Sequence, residues 1–412
     1  MLTHAEALAA IAAINTLSVA ESVPLARAHG RWLAADVLLD RDQPAFDRAT
    51  MDGYAVALRD DCHTFTICGT VTAGTRWTGA ALRPGEAVRI MTGAPVPTGT
   101  TVIPVECTDR GESTVTITAA EALHPRRNIA WQGEDGHAGD CLLRQGTRLQ
   151  PTTLALAAMA GSTTASCWRP PSCAIVTTGD ELGGDVNTVG GDSAQIPDSN
   201  GPLLASVLAS LGMLSRRWHA RDEPGELGRV LTAAALEADV IITTGGVSAG
   251  AKDLVPDLAR SLGFATVFHH VAIQPGKPVF LARRDAPRGA ATALIGLPGN
   301  PVSVLATAHL YLLPLLGRFC GGWLPQWLQL PLTVPWQNPG KRHQFMPAHF
   351  SPGGIAPIRW NGSGDLIAAA TGHGLVELPI GFSGTPGTII SFLPFISCGG
   401  VADTAILPSR TG

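Results

Sequence analysis

Ala238-Asp239-Val240-Ile241-Ile242-Thr243-Thr244-Gly245-Gly246-Val247-Ser248 decides the fold. Its β-branched apolar run reads as a buried strand that stops at a Thr-Thr-Gly-Gly turn, shortly before Asp253. The same pattern stands upstream as Ala174-Ile175-Val176-Thr177-Thr178-Gly179-Asp180-Glu181-Leu182. It returns more loosely as Ala293-Leu294-Ile295-Gly296-Leu297-Pro298-Gly299-Asn300-Pro301, which feeds an apolar run. Three strand-then-glycine units predict parallel strands whose carboxyl ends share one rim, the place where open α/β sheets bind ligands.

The residues of that rim suit a phosphorylated ligand. Glycine lets backbone N–H groups approach an anion, and a following helix adds its positive end. Thr178, Thr244 and Ser248 offer hydroxyl donors, and Asp180, Glu181 and Asp253 lie beside the turns. Carboxylates next to phosphate call for a cation between them. Mg²⁺, a hard ion held by one or two carboxylates plus phosphate oxygens, fits best. One such turn by itself only joins a strand to a helix; three, two of them with acids, point to a ligand.

Composition bounds the rest. A chain of 412 residues exceeds one core, so roughly two to four domains are expected. With 45% hydrophobic and 15% charged residues it is an ordinary globular chain, and a net charge of −4 argues against nucleic acid or an anionic membrane as partner. The eight cysteines include no Cys-x-x-Cys pair, which suits neither a disulfide framework nor a zinc site and fits a reducing, cytoplasmic setting. The stretch from Met1 to Glu6 lacks a signal peptide's basic flank and opens an amphipathic helix with Leu8, Ile11 and Ile14 or Leu17 facing a partner. Val302 to Leu316, interrupted by His309 and Pro314, is short for a membrane span and reads as a buried helix. Only three of the 29 basic residues are lysine, one of them Lys277 in Pro275-Gly276-Lys277-Pro278.

In order along the chain, residues 1–45 and 140–171 are expected to form one discontinuous helical and extended domain. Residues 46–139 form an inserted β domain of short alternating strands, 172–322 a three-layer α/β domain, and 323–412 a C-terminal β-barrel. A helix is expected over Leu203–Leu211, with Asp198, Ser199 or Asn200 able to cap it. His269-His270 ends a strand without an acidic or cysteine partner at ligand spacing and reads as structural.

At these motifs the chain resembles the MoeA family, the molybdopterin molybdenumtransferases, which include gephyrin E-domain-like proteins. The matching stretches are Met51-Asp52-Gly53-Tyr54-Ala55-Val56, Arg89-Ile90-Met91-Thr92-Gly93-Ala94-Pro95, Gly133-Glu134-Asp135, Thr178-Gly179-Asp180-Glu181-Leu182 and Asp198-Ser199-Asn200. They continue with Gly245-Gly246-Val247-Ser248, Pro275-Gly276-Lys277-Pro278 and Leu297-Pro298-Gly299-Asn300-Pro301-Val302-Ser303, in the family's order. The resemblance implies a MogA-like α/β domain and a homodimer whose site lies between the α/β domain of one subunit and the β domain of its mate. It also implies Mg²⁺-dependent insertion of molybdate into adenylylated molybdopterin, with release of AMP. A molybdopterin adenylyltransferase and apo-molybdoenzymes would be further partners.

The implied roles follow the motifs. Glu181 and Asp253 would hold or orient Mg²⁺, and Lys277 would meet a phosphate. The turns at Gly179, Gly245 with Gly246, and Gly299 would cradle pyrophosphate, while Asp222 supports the nucleotide side. Thr178, Asp180, Ser199, Asn200, Ser248, Pro298, Asn300 and Pro301 complete the cofactor-binding set, with the two prolines chiefly shaping the backbone. Asp52, Thr92 and Asp135 would come from the partner subunit toward pterin or molybdate, and Arg342 and Ser363 would approach the oxyanion. The resemblance also implies basic residues at two positions where this chain has Gln274 and Ala130, and each departure removes a cation. They motivate an alternative, a non-catalytic molybdopterin-binding scaffold or cofactor chaperone.

Overall fold

The computed structural model describes residues 1–14, 18–59, 62–119, 122–124, 126–183, 195–247, 254–285 and 291–396. The chain divides into two compact units, one of Met1–Ala35, Gly146–Gln150 and Ser166–Gly412, the other of Asp36–Gln145 and Pro151–Ala165.

The smaller unit is built on a five-stranded sheet of β1 (Gly53–Val56), β2 (Thr64–Val71), β3 (Glu86–Ile90), β4 (Thr101–Pro104) and β5 (Thr114–Thr116), in the order β4-β1-β3-β2-β5. Alternation along the strands serves two cores. Ala55, Val88, Ile90 and Val102 face one, and Tyr54, Val56, Phe65, Ala87 and Ile103 face the other. Gly53 is obligatory where β1 meets β4, because a Cβ there would collide with the Ile103 carbonyl. The unit also holds a helix over Pro151–Met159.

The larger unit starts with α1 (His4–Ala12), closed by a capping box. Glu6 N donates to Thr3 Oγ1 (3.2 Å) and Thr3 N to Glu6 Oε2 (2.7 Å). Its central sheet uses β6 (Cys173–Thr178), β7 (Ser215–Ala220), β8 (Val240–Thr244), β9 (Ala265–His269), β11 (Phe280–Asp285) and β12 (Ala291–Leu297), with the short β10 (Ile273–Gln274) lying outside it. The order is β7-β6-β8-β12-β11-β9. The first four strands are parallel, whereas β11 runs antiparallel to both neighbours. Alternate strand residues bury opposite faces. Ile175, Ile242 and Ile295 pack on α1, α2 (Asn200–Ser210) and the long helix α5 (Pro301–Phe319), while Ala174, Val176, Ile241 and Leu294 pack on α3 (Pro224–Glu237) and α4 (Val255–Ser261). This is the expected three-layer arrangement.

Two helices are longer than their sequence reading, and the second is buried as expected. The α2 helix begins at Asn200, ahead of Leu203, because a first turn has no N–H partners to lose and therefore tolerates Gly201-Pro202. The α5 helix has the length and apolarity of a membrane span, yet 89% of it is buried, and it widens into a π-turn over Ala308–Leu312.

The C-terminal strands are β13 (Leu328–Pro331), β14 (His343–Ser351), β15 (Gly354–Pro357), β16 (Gly374–Leu378) and β17 (Ile389–Pro394), hydrogen-bonded as β14-β16-β17-β13 with β15 on β14. Thr333 N donates to Ile355 O (2.9 Å), which joins the end of β13 to β15 and closes the barrel. The strand expected at Leu332–Val334 lies earlier, at Leu328–Pro331. Unexpectedly, β10 adds to this sheet through Ile273↔His343 and Gln274↔Gln344.

Candidate active site

Thr177, Thr244 and Leu297 stand in register on β6, β8 and β12, so the three glycine turns leave the sheet at one level. Gly245 (φ +85°) and Gly246 (φ +64°) occupy the left-handed region that glycine alone adopts freely. The tips touch. Gly245 N donates to Leu297 O (3.0 Å), a Cβ on Gly245 would lie 2.7 Å from Thr178 Oγ1, and one on Gly299 would lie 3.8 Å from Gly245 Cα. Backbone N–H groups and the start of α5 thus meet in one place, with buried Pro298 behind them and Pro301 opening the helix.

The side chains around the rim sort by what they already hold. Thr178 Oγ1 donates to Thr244 O (3.2 Å), and both threonines are buried. The Thr178 hydroxyl proton is therefore used within the sheet rather than offered to a ligand, a correction to the sequence reading. Asn200 Nδ2 donates to Gly299 O (2.7 Å), yet its Oδ1 has no hydrogen-bond partner among the described residues although Asn200 is only 7% exposed. A buried acceptor left open costs free energy unless a ligand or water supplies a donor. Asn300 Nδ2 donates to Ser363 Oγ (2.9 Å), and Ser363 O accepts from Val302 N (3.0 Å), so a barrel loop caps α5 beside the Gly299 turn.

The acids form a second layer. Glu181 is exposed and curls over its own turn, its carboxylate lying 2.6 to 2.7 Å from where a Cβ of Gly179 (φ +144°) would stand. Asp180 Oδ1 accepts from Asp222 N (3.1 Å), which brings those two residues together. Asp198 Oδ1 accepts from Gly201 N (2.8 Å) and its Oδ2 pairs with Arg217 (3.1 Å), whereas Ser199 makes no capping bond. Arg342 NH1 donates to Ile273 O (3.3 Å), next to the stretch that carries Gln274 and the exposed Lys277. In that stretch a Cβ on Gly276 would collide with Thr307 of α5, which fixes the loop against the helix. Ser248 and Asp253 fall outside the described residues, and among those described no group of three or more His, Cys, Asp or Glu is arranged to hold a metal.

Asp52, Thr92 and Asp135 belong to the smaller unit. Asp52 Oδ1 accepts from Thr92 N (2.7 Å) and Thr92 Oγ1 (2.8 Å), and these bonds, the backbone one first, hold its carboxyl below the ordinary value. Asp135 N donates to Gln43 O (2.9 Å) and its side chain is exposed. Ala130 is buried against Arg48 in a strand pair, and Arg126 stacks 4.1 Å above the Trp131 ring. What the sequence did not signal is the clamp of Asn200 and Ser363 on the Gly299–Val302 turn, which joins residues from three separate stretches.

Comparison with known proteins agrees with this architecture. Residues 2–161 match the family description "MoeA N-terminal region (domain I and II)", and residues 174–318 match "Probable molybdopterin binding domain". "Molybdopterin molybdenumtransferase 2" of Mycobacterium tuberculosis (strain H37Rv) is 33% identical over 386 residues, covering 87% of this chain and 90% of its own. "Molybdopterin molybdenumtransferase" of Staphylococcus aureus (strain N315) is 30% identical over 378 residues, 88% of each chain. The crystal structure of the molybdopterin biosynthesis MoeA protein from Pyrococcus horikoshii OT3 matches with a TM-score of 0.80 at 25% identity, over 96% of this chain and 100% of that one.

Proposed function

This chain belongs to the MoeA family, and from that premise we propose that it is a molybdopterin molybdenumtransferase of molybdenum cofactor biosynthesis. Its substrates are molybdate and adenylylated molybdopterin, and AMP is the leaving product. The observation that carries this reading is the meeting of three glycine turns at the head of α5, with the open Asn200 acceptor beside them.

Breaking a phosphoanhydride gathers negative charge on the oxygens between two phosphorus atoms. Catalysis then consists mainly of fixed donors and cations placed where that charge grows. The Gly246 and Gly299 amides face the pyrophosphate, with the Gly245 N–H spent on Leu297 O to hold the turn, Lys277 takes a terminal oxygen, and Asn200 Oδ1 accepts from a ligand N–H or O–H. Asp180 and Asp222 orient the nucleotide side, while Arg342 and Ser363 receive the incoming oxyanion. The donor chemistry of the rim, an exposed Glu181 carboxylate beside a phosphate cradle, fits a hard divalent cation, with Asp253 as the second carboxylate. Mg²⁺ bound there would neutralise phosphate charge. Asp52, Thr92 and Asp135 of a second subunit complete the site in a homodimer.

Incubated with adenylylated molybdopterin, molybdate and Mg²⁺, the protein is expected to release AMP, and Asp253→Ala to stop it. Absence of AMP with authentic substrate counts directly against the enzyme. The alternative scaffold is favoured by Ala130 and Gln274, uncharged residues at two positions where the family resemblance implies cations. Tight pterin binding without turnover, surviving loss of both Glu181 and Asp253, selects that reading.

A further inference from the structure

His269 of β9, Phe280 of β11, Gly296 of β12 and Thr243 of β8 form one row in register across four adjacent strands. Gly296 leaves a gap in that row, since a Cβ there would collide with Val247 Cγ1. The chain leaving β8 therefore folds back after Gly246, and the buried Val247 fills the gap over the neighbouring strand. The same fold-back carries the Val247 carbonyl to within 3.0 Å of His269 Nε2, although β12 and β11 lie between their parent strands. A carbonyl only accepts, so Nε2 bears the proton. The imidazole is fixed in its turn. Phe280 meets it edge-on at 5.4 Å between centroids, and His270 stacks on it at 3.9 Å.

We propose that His269 is a positioning residue for the transfer reaction, anchoring the Gly245–Gly246 turn through the Val247 carbonyl. The proposal rests on the reading of that turn as part of the phosphate cradle. The Gly245 N–H is already held on Leu297 O, so it is the Gly246 amide, with no side chain to stiffen it, whose direction depends on the flanking Val247 being tied down. Val247 is tied twice, by its side chain over Gly296 and by its carbonyl on His269. Neither tether touches substrate.

The test compares His269→Ala with His269→Gln, whose side-chain amide can still donate to the carbonyl. In His269→Ala the KM for adenylylated molybdopterin should rise about tenfold with kcat nearly unchanged, the effect expected from losing one hydrogen bond. Amide exchange at Gly245–Val247 should quicken while β6 and β12 keep their protection and Tm stays near wild type. His269→Gln should restore both KM and exchange. Unchanged KM and exchange in His269→Ala overturn the proposal. So does a loss shared equally by both variants and accompanied by a fall in Tm, which marks a merely structural histidine. Wild-type protein without turnover would instead sink the proposed function, and the exchange comparison would still decide the tether.

Discussion

Asp52 shows how much one side chain can be set by a neighbour. Two hydrogen bonds from Thr92, one from the backbone and one from the hydroxyl, lower its pKa from the ordinary 3.8. For a depressed carboxyl the stabilisation is present above the ordinary value and is lost as pH falls through the folded one. Thr92→Val removes the hydroxyl bond and keeps the backbone bond, so the Asp52 titration midpoint should move up toward 3.8 without reaching it. A ¹³C titration of the Asp52 carboxyl reads this directly, and an unmoved midpoint would show that the hydroxyl contributes nothing. At this scale the sequence was informative about identity and poor about partners. Gly245 and Gly246 announced themselves because their positive φ admits little else. The Thr178 hydroxyl was taken for a free donor because its acceptor, the Thr244 carbonyl, comes from another strand.

Among the elements, α5 carries the clearest consequence of burial. Its π-turn places His309 in the core, where Nδ1 donates to Leu305 O (2.8 Å) and Nε2 accepts from Ile396 N (3.2 Å). Both nitrogens are engaged in the neutral form, and burial lowers the pKa from 6.5 to about 4. A base held neutral by the fold stabilises fully above pH 6.5, and this contribution erodes as pH falls toward the folded value. The erosion amounts to about 3 kcal/mol across that window. His4, also lowered to about 4 chiefly by burial, adds to it. Urea unfolding between pH 7 and pH 4.5 should show this slope, and His309→Gln should flatten part of it. An equal slope in both proteins would remove His309 from the account. The π-turn was not legible beforehand, since apolar residues on every face give no phase from which to read a change of period. The strand patterns around Val176, Ile242 and Ile295 were legible because parallel strands buried on both faces are uniformly apolar. The pairing of β10 with the barrel was hidden, as two residues carry no periodicity at all.

For the whole molecule, the proposed sharing of the site between two subunits makes a prediction that no single-subunit site does. Asp253→Ala and Asp52→Ala would each be inactive alone, yet mixed and re-equilibrated they should regain about a quarter of wild-type activity, because half the dimers pair one of each and hold one intact site. Mixtures that stay silent would place both acids in the same subunit's chemistry. The order of assembly follows from a feature of the larger unit. Leu2 is stitched to residues 270–272, its N–H to His270 O (3.2 Å) and its carbonyl to Ala272 N (2.8 Å), while Ala7, Ile11 and Ile14 share a core with Leu310–Leu316. A ribosome releases this helix early but makes its bed some tens of seconds later, at roughly 5–20 residues per second. In that interval the smaller unit, whose contacts are all present, can already be folded. Until that bed emerges, the apolar stripe of the first helix has nothing of its own unit to cover it.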